Sequence, residues 1–274
     1  MLKHIEKLAG CNIPIFYINL RRRPDRNQHF LSLFKGANVS PTRIEAYDGL
    51  DPEAMGILHG PIPDYVPIKR PQLVRVSDQT MLHKLYCQIG CVCSHLKAIK
   101  TWLQSDAQIG IFCEDDLSTK TLQYWNYDIN GIISRLPADW DCVQLCTSNY
   151  QMYQQLLNHK NNNVLTIPKQ MKLSKWHQNN WCTGCYILNR SYGHFLIDKL
   201  EVNGRFDLSQ VEGSRIQADD LLYRLGKTYT INLMTFEHFE SNLDGLWPQI
   251  DGCLEAVDWW WEKVGIFCSL DDLL

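Results

Sequence analysis

The chain has 274 residues, the size of a large α/β domain with insertions. Hydrophobic residues make up 45% and charged residues 21%, which excludes global disorder. The formal net charge of −3 excludes bulk nucleic-acid binding, which takes a basic balance.

In chain order, the apolar run Ile13–Leu20 comes first, followed at once by Arg21, Arg22 and Arg23. It is too short to span a bilayer and no small-residue cleavage site follows it, so it reads as a buried strand. The expectation is a cytoplasmic chain with no transmembrane segment. Pro24 suits the first turn of a helix that Phe30, Leu31 and Phe34 continue. Thr42–Tyr47 reads as a strand ending at the turn Asp48-Gly49. Residues 51–80 carry Pro52, Pro61, Pro63, Pro67 and Pro71 and read as a long loop or flap. A helix is expected from Gly90, with Val92, Leu96, Ile99 and Leu103 on one face and free backbone N–H groups at its start for phosphate. Ile109–Cys113 is a short buried strand, and Leu122–Leu136 reads as helical. Further strands are expected at Cys142–Cys146, Val164–Ile167, Trp181–Leu188 and Tyr229–Phe236, and helices from Ser191 and over Gln217–Leu225. Strands alternating with helices indicate α/β architecture with a largely parallel sheet. The expected organisation is one domain over 1–274, with the flap-like insertion around 51–80 and a Trp-rich C-terminal segment.

Eleven cysteines, an odd number, are scattered through the chain. Cys113, Cys142, Cys146 and Cys182 fall inside expected elements and read as reduced, buried thiols. Cys91 with Cys93, and Cys182 with Cys185, are close pairs, but neither has a second pair at standard spacing, so zinc knuckles are not expected. Of Trp259, Trp260 and Trp261, one or two are expected in the core; the others could meet a membrane interface, a partner or an acceptor sugar.

Three consecutive acids, Glu114, Asp115 and Asp116, directly follow the strand Ile109–Cys113. In open α/β sheets ligands bind beyond the carboxyl ends of strands. Carboxylates there repel one another unless a positive charge offsets them, and a hard divalent cation is a natural partner. If the strand continues, Glu114 and Asp116 point the same way. An acidic turn capping a helix near Thr119 accounts for the same residues, and the residues alone leave both readings open. His95 sits about 60° from the centre of its helix's apolar face and reads equally as a half-buried histidine satisfied by a neighbour.

Six segments together resemble glycosyltransferase family 25, which includes bacterial lipooligosaccharide and procollagen galactosyltransferases. They are Ile18-Asn-Leu-Arg-Arg-Arg-Pro-Asp-Arg26, Glu45-Ala-Tyr-Asp-Gly49, Ile89-Gly-Cys-Val-Cys-Ser-His-Leu-Lys-Ala98, Ile111-Phe-Cys-Glu-Asp-Asp116, Gly184-Cys-Tyr-Ile-Leu188 and Ala218-Asp-Asp-Leu-Leu222. Each is weak alone; their shared order and spacing carry the resemblance, over about Ile13 to Leu246. It implies a GT-A-type nucleotide-sugar-binding fold, with a mixed, mostly parallel sheet flanked by helices. It implies a divalent metal, usually Mn2+, a UDP-sugar donor (galactose or glucose) and inversion at the anomeric carbon. By residue, it implies Asn19 and Arg26 at the donor pocket, Asp48 near the nucleotide, and Ser94 and His95 lining the donor site. Glu114 and Asp116 would bind metal, with Asp115 on ribose or diphosphate, and Asp219 would be the base, with Asp220 as the alternative. Asp219 reads equally as a helix N-cap. His238 is a further candidate metal ligand, or an ordinary polar residue at a strand end.

Cys87 and Gln217 depart from the family's usual glycine and proline. The acceptor would be a glycan, a lipid-linked sugar or a hydroxylysine. Without a secretory or retention signal, a bacterial or viral setting, cytoplasmic or peripheral to a membrane, is expected rather than the ER lumen. The rival expectation is an inactive relative that binds sugar or a partner.

Overall fold

The computed structural model describes residues 2–9, 13–51, 56–59, 79–210, 216–237 and 250–274. Helix α1 (Leu2–Ala9) precedes strand β1 (Ile15–Asn19), helix α2 (Pro24–Leu33) and strand β2 (Thr42–Glu45). The long helix α3 (Gln79–Trp102) leads into β3 (Ile109–Glu114) and the short β4 (Leu117–Ser118). Next come α4 (Ile129–Ile133), β5 (Cys142–Cys146), α5 (Tyr150–Asn162), β6 (Ser174–Lys175) and β7 (Cys185–Asn189). Then follow α6 (Arg190–Leu200), the small hairpin β8 (Glu201–Val202) and β9 (Arg205–Phe206), α7 (Ala218–Arg224), β10 (Thr228–Phe236), α8 (Ile250–Lys263) and α9 (Leu270–Leu273).

The main sheet has eight strands in the order β2-β1-β3-β7-β5-β10-β4, with β6 also on β10. β1 pairs in parallel with β2 and β3, and β5 with β10. β7 is inserted antiparallel to both β3 and β5, so those two neighbours run in one direction. The sheet is therefore mixed but mostly parallel, with helices on both faces. Period-two alternation divides the strands between two cores. Ile15, Tyr17, Ile111, Cys113, Val143 and Ile187 face α1, α2, α5 and α8. Phe16, Ile18, Phe112, Tyr186 and Leu188 face α3, α6 and α7.

Several boundaries differ from the sequence expectation. α3 begins at Gln79, so Gly90 lies inside the helix and offers no free helix start to a phosphate. The glycine is there for packing instead. A Cβ on Gly90 would sit 2.7 Å from the Tyr47 carbonyl oxygen, and one on Gly49 would sit 2.4 Å from the Tyr86 carbonyl. Two glycines thus let the strand-ending turn cross α3 in backbone contact. The span Leu122–Leu136 is not one helix: a 3-10 turn over Lys120–Tyr124 stops, and Asp128 caps a new start by accepting from the Gly131 N–H at 2.8 Å. Val164–Ile167 forms no strand. It follows α5, which Asn149 caps at the N-terminus and which Asn163 ends with a left-handed φ of 50°. The strand expected over Trp181–Leu188 begins only at Cys185.

Most of the expected flap lies outside the described residues; Leu58 and His59 contact Phe206 of β9 through a bridge and a 2.9 Å hydrogen bond. Trp260 and Trp261 are core residues, and Trp259 packs against the same core. Cys113, Cys142, Cys146 and Cys182 are free thiols. Among the described residues no helix is long and apolar enough to cross a membrane.

Candidate functional site

A cleft of about 590 Å³ opens at the carboxyl ends of β1 and β3. Its walls come from the turn after β1, the Tyr47–Gly49 turn, one face of α3, the acids after β3, the segment entering β7 and the start of α7. Because β7 runs against its neighbours, it is the entry to β7, residues 181–184, that reaches this end of the sheet.

The alternation that divides the core sets Glu114 apart from Asp115, but β3 ends at Glu114, and in the turn that follows Asp116 joins Asp115 beside Arg26 instead of pointing the way of Glu114 as expected. Glu114 shares the parity of Phe112 and turns to the α3 side. There it accepts from the Thr183 hydroxyl at 2.5 Å and lies 3.5 Å from His95 Nε2. Burial works against its ionisation, but His95 and Thr183 outweigh this and hold the carboxyl below the usual range. Asp115 has the opposite parity and turns to the α2 side. It accepts from Asn19 Nδ2 at 2.7 Å and Arg26 Nη1 at 3.1 Å. Burial nonetheless raises it, against the pull of Asn19 and Arg26. Asp116 lies 3.5 Å from Arg26 Nη1. Burial, and then the Glu114 charge, push it up to about 7.

Asn19 is fully buried and is a hub rather than a wall: it also donates to the Arg23 carbonyl and accepts from Arg43 Nε at 3.0 Å. Asp48 lines the cleft, accepting from Arg22 Nε at 2.5 Å and from the Leu50 N–H at 3.0 Å. Ser94 and His95 also line it. Ser94 Oγ donates to the Gly90 carbonyl and accepts from the Tyr47 N–H, tying the crossing turn to α3. His95 is fully buried, with Nδ1 2.9 Å from the Tyr186 hydroxyl.

Asp219 faces the cleft from the first turn of α7. It accepts from the Cys182 N–H at 3.0 Å and from the Asp220 N–H at 2.9 Å, and burial raises its carboxyl. Asp220 does not line the cleft; it is fully buried and forms an ion pair with Arg224 at 2.5 Å along the helix. His238 lies outside the described residues.

The segment 180–183 joins Asp219 to Glu114, and sequence reasoning missed it. Gln144, in the middle of β5, shares the two hydrogens of Nε2 among the carbonyls of Asn180, Trp181 and Cys182, 3.1, 3.1 and 2.8 Å away. Its Oε1 accepts from Thr230 at 2.9 Å. Tyr223 donates to the same Cys182 carbonyl at 3.1 Å. Cys182 has a φ of 97°, a costly conformation for a non-glycine residue, and these bonds hold it there. The available signal was a buried glutamine in an otherwise apolar strand, since a buried amide must find partners.

Glu114 and Asp116 offer carboxylate oxygens, the donor type of hard divalent cations. Burial first, and the Glu114 charge second, raise the Asp116 carboxyl against the pull of Arg26. The donor type, though not a shared geometry, fits such a cation. Cys182 and Cys185, by contrast, turn to different neighbours, Cys146 and Cys113, and form no zinc knuckle.

No curated protein matches the chain. The family model for glycosyltransferase family 25, described as LPS biosynthesis protein, matches residues 12–210. That stretch carries β1 through β9, with every cleft wall except α7. The chain, on this match and its mixed, mostly parallel α/β architecture, belongs to glycosyltransferase family 25.

Proposed function

We propose that the protein is a metal-dependent inverting transferase of GT-A type, which moves a hexose from a UDP-sugar to a glycan hydroxyl. The observation that carries this reading is the pairing of two kinds of carboxylate across one cleft: Glu114 and Asp116 at the end of β3, and Asp219 on α7. A pocket of roughly 300–1,000 Å³ takes a ligand of this class, and the cleft is of that size.

Glu114 and Asp116 would hold Mn2+, which supplies charge neutralisation for the diphosphate leaving group. Arg26, beside Asp115 and Asp116, adds fixed positive charge on the same side. Asp48, Ser94 and His95 bound the donor pocket. Asp219 takes the proton from the acceptor hydroxyl as that oxygen attacks the anomeric carbon opposite the departing UDP. The Cys182 and Asp220 N–H groups fix the orientation of this carboxylate. A family described by LPS biosynthesis favours a saccharide acceptor.

The test is UDP release and sugar transfer from a panel of nucleotide sugars, with Mn2+ and with chelator. Manganese-dependent release from UDP-galactose or UDP-glucose is expected. Binding only to a GDP- or CMP-sugar would sink the donor assignment. Donor binding without turnover, with glycan acceptors present, would favour a sugar-binding module.

A further inference from the structure

Cys91 and His95 lie one turn apart on α3, so their side chains share a face. With Glu114 at the end of β3 they form a trio whose ligand atoms all lie within 4.8 Å of one another. The trio mixes sulfur, nitrogen and oxygen donors, a set that suits zinc rather than manganese.

His95 supplies an independent observation. It is fully buried, and its Nε2 has no hydrogen-bond partner. The nearest acceptor, Glu114 Oε1, is 3.5 Å away, too far for a good hydrogen bond. In one tautomer a buried N–H is left unsatisfied; in the other a bare lone pair faces a carboxylate. Nδ1 lies 2.9 Å from the Tyr186 hydroxyl and can donate to it once a cation, in place of a proton shared with Glu114, takes the Nε2 lone pair. A histidine whose second nitrogen is oriented in this way is the usual arrangement of a metal ligand.

We propose that Cys91 Sγ, His95 Nε2 and the Glu114 carboxylate bind one zinc ion, with a fourth position open to the cleft. Ligand atoms around a tetrahedral zinc lie roughly 3.3–3.6 Å apart. The His95–Glu114 pair already meets this, and the half-buried Cys91 and Glu114 side chains move onto the fixed imidazole. Without a cation, burial and the nearby Glu114 and Asp219 charges keep the Cys91 thiol protonated. Zinc reverses that, displacing the thiol proton to solvent as the S–Zn bond forms. Glu114 is shared with the hard-cation ligands proposed above, so zinc and manganese compete for it. The zinc site itself does not depend on the transferase reading, because its test uses neither donor nor acceptor.

The experiment is a Co2+ titration of the full chain, stripped of metal and kept reduced, followed by displacement with Zn2+. A thiolate-to-cobalt charge-transfer band that Zn2+ abolishes is expected. Cys91→Ser should lose the band, Cys93→Ser should keep it, and Tyr186→Phe should weaken binding by about 10–100-fold. No band in the native chain, or a band that survives Cys91→Ser, overturns the proposal. If Cys91→Ser fails to fold, X-ray absorption at the zinc edge of the native chain and of Cys93→Ser decides. One sulfur, one imidazole nitrogen and oxygen ligands are expected in both; a zinc with no sulfur ligand, or one whose sulfur is lost in Cys93→Ser, overturns the site.

Discussion

At the scale of single residues, the proposed base is the sharpest point of attack. Burial raises the Asp219 carboxyl, and the carboxylate is its active form. Activity should therefore fall as pH drops through that raised value, placing the acid limb of kcat/KM above the ordinary aspartate range. Asp219→Asn should lower kcat by about 10²-fold or more and remove that limb. An unchanged profile in the variant would transfer the role to another group. Gln144 makes a different prediction. Gln144→Leu removes one donor from each of the half-buried carbonyls of residues 180–182, which keep Trp176, Ser148 and Tyr223 as donors, and takes the acceptor from the buried Thr230 hydroxyl. The expected cost is about 1–3 kcal/mol, read by denaturant unfolding, with kcat falling more than donor KM rises, because the segment that orients Asp219 loosens. The individual acids were legible in the sequence, since charge at a strand end is conspicuous. The links between them were not: Thr183 and Gln144 meet Glu114 and the 180–182 carbonyls only through pairings distant in the chain.

At the scale of elements, the crossing of α3 by the Tyr47–Gly49 turn sets one wall of the cleft. Gly90→Ala places a Cβ 2.7 Å from the Tyr47 carbonyl, and backbone there has little room to yield. The expected penalty is about 1–3 kcal/mol in thermal or chemical unfolding, with a raised donor KM because Asp48 moves with the turn. A fully native melting curve and KM would show that the crossing tolerates a side chain. Legibility follows the same logic. β1, β3 and β5 were readable because strands buried on both faces are continuous apolar runs. The start of α3 was not, because Gly90 reads as punctuation locally and as a contact only in three dimensions. α5 went unread as well: its turns carry polar Gln and Asn beside Met152, Tyr153 and Leu156, and its asparagine caps are plain only once the helix is drawn.

At the scale of the whole molecule, helix α8 closes one of the two cores. Trp260 is fully buried on that side, and its indole N–H donates to the Thr166 carbonyl at 3.0 Å. Trp260→Ala should cost about 3–5 kcal/mol, measured by denaturant unfolding, although the residue lies outside the matched family stretch. A loss below about 1 kcal/mol would mean that α8 is an appendage rather than part of the core. The sheet order has a related consequence for synthesis. β10 is made late yet pairs with β5 along most of its length, and the family-matched stretch stops before it. A ribosome that has released only residues 1–210 exposes β5 as a raw edge, open to pairing with any neighbouring chain. The nascent protein is thus vulnerable to aggregation until its last quarter emerges, and a fragment cut at residue 210 should precipitate or bind chaperones where the full chain stays dispersed.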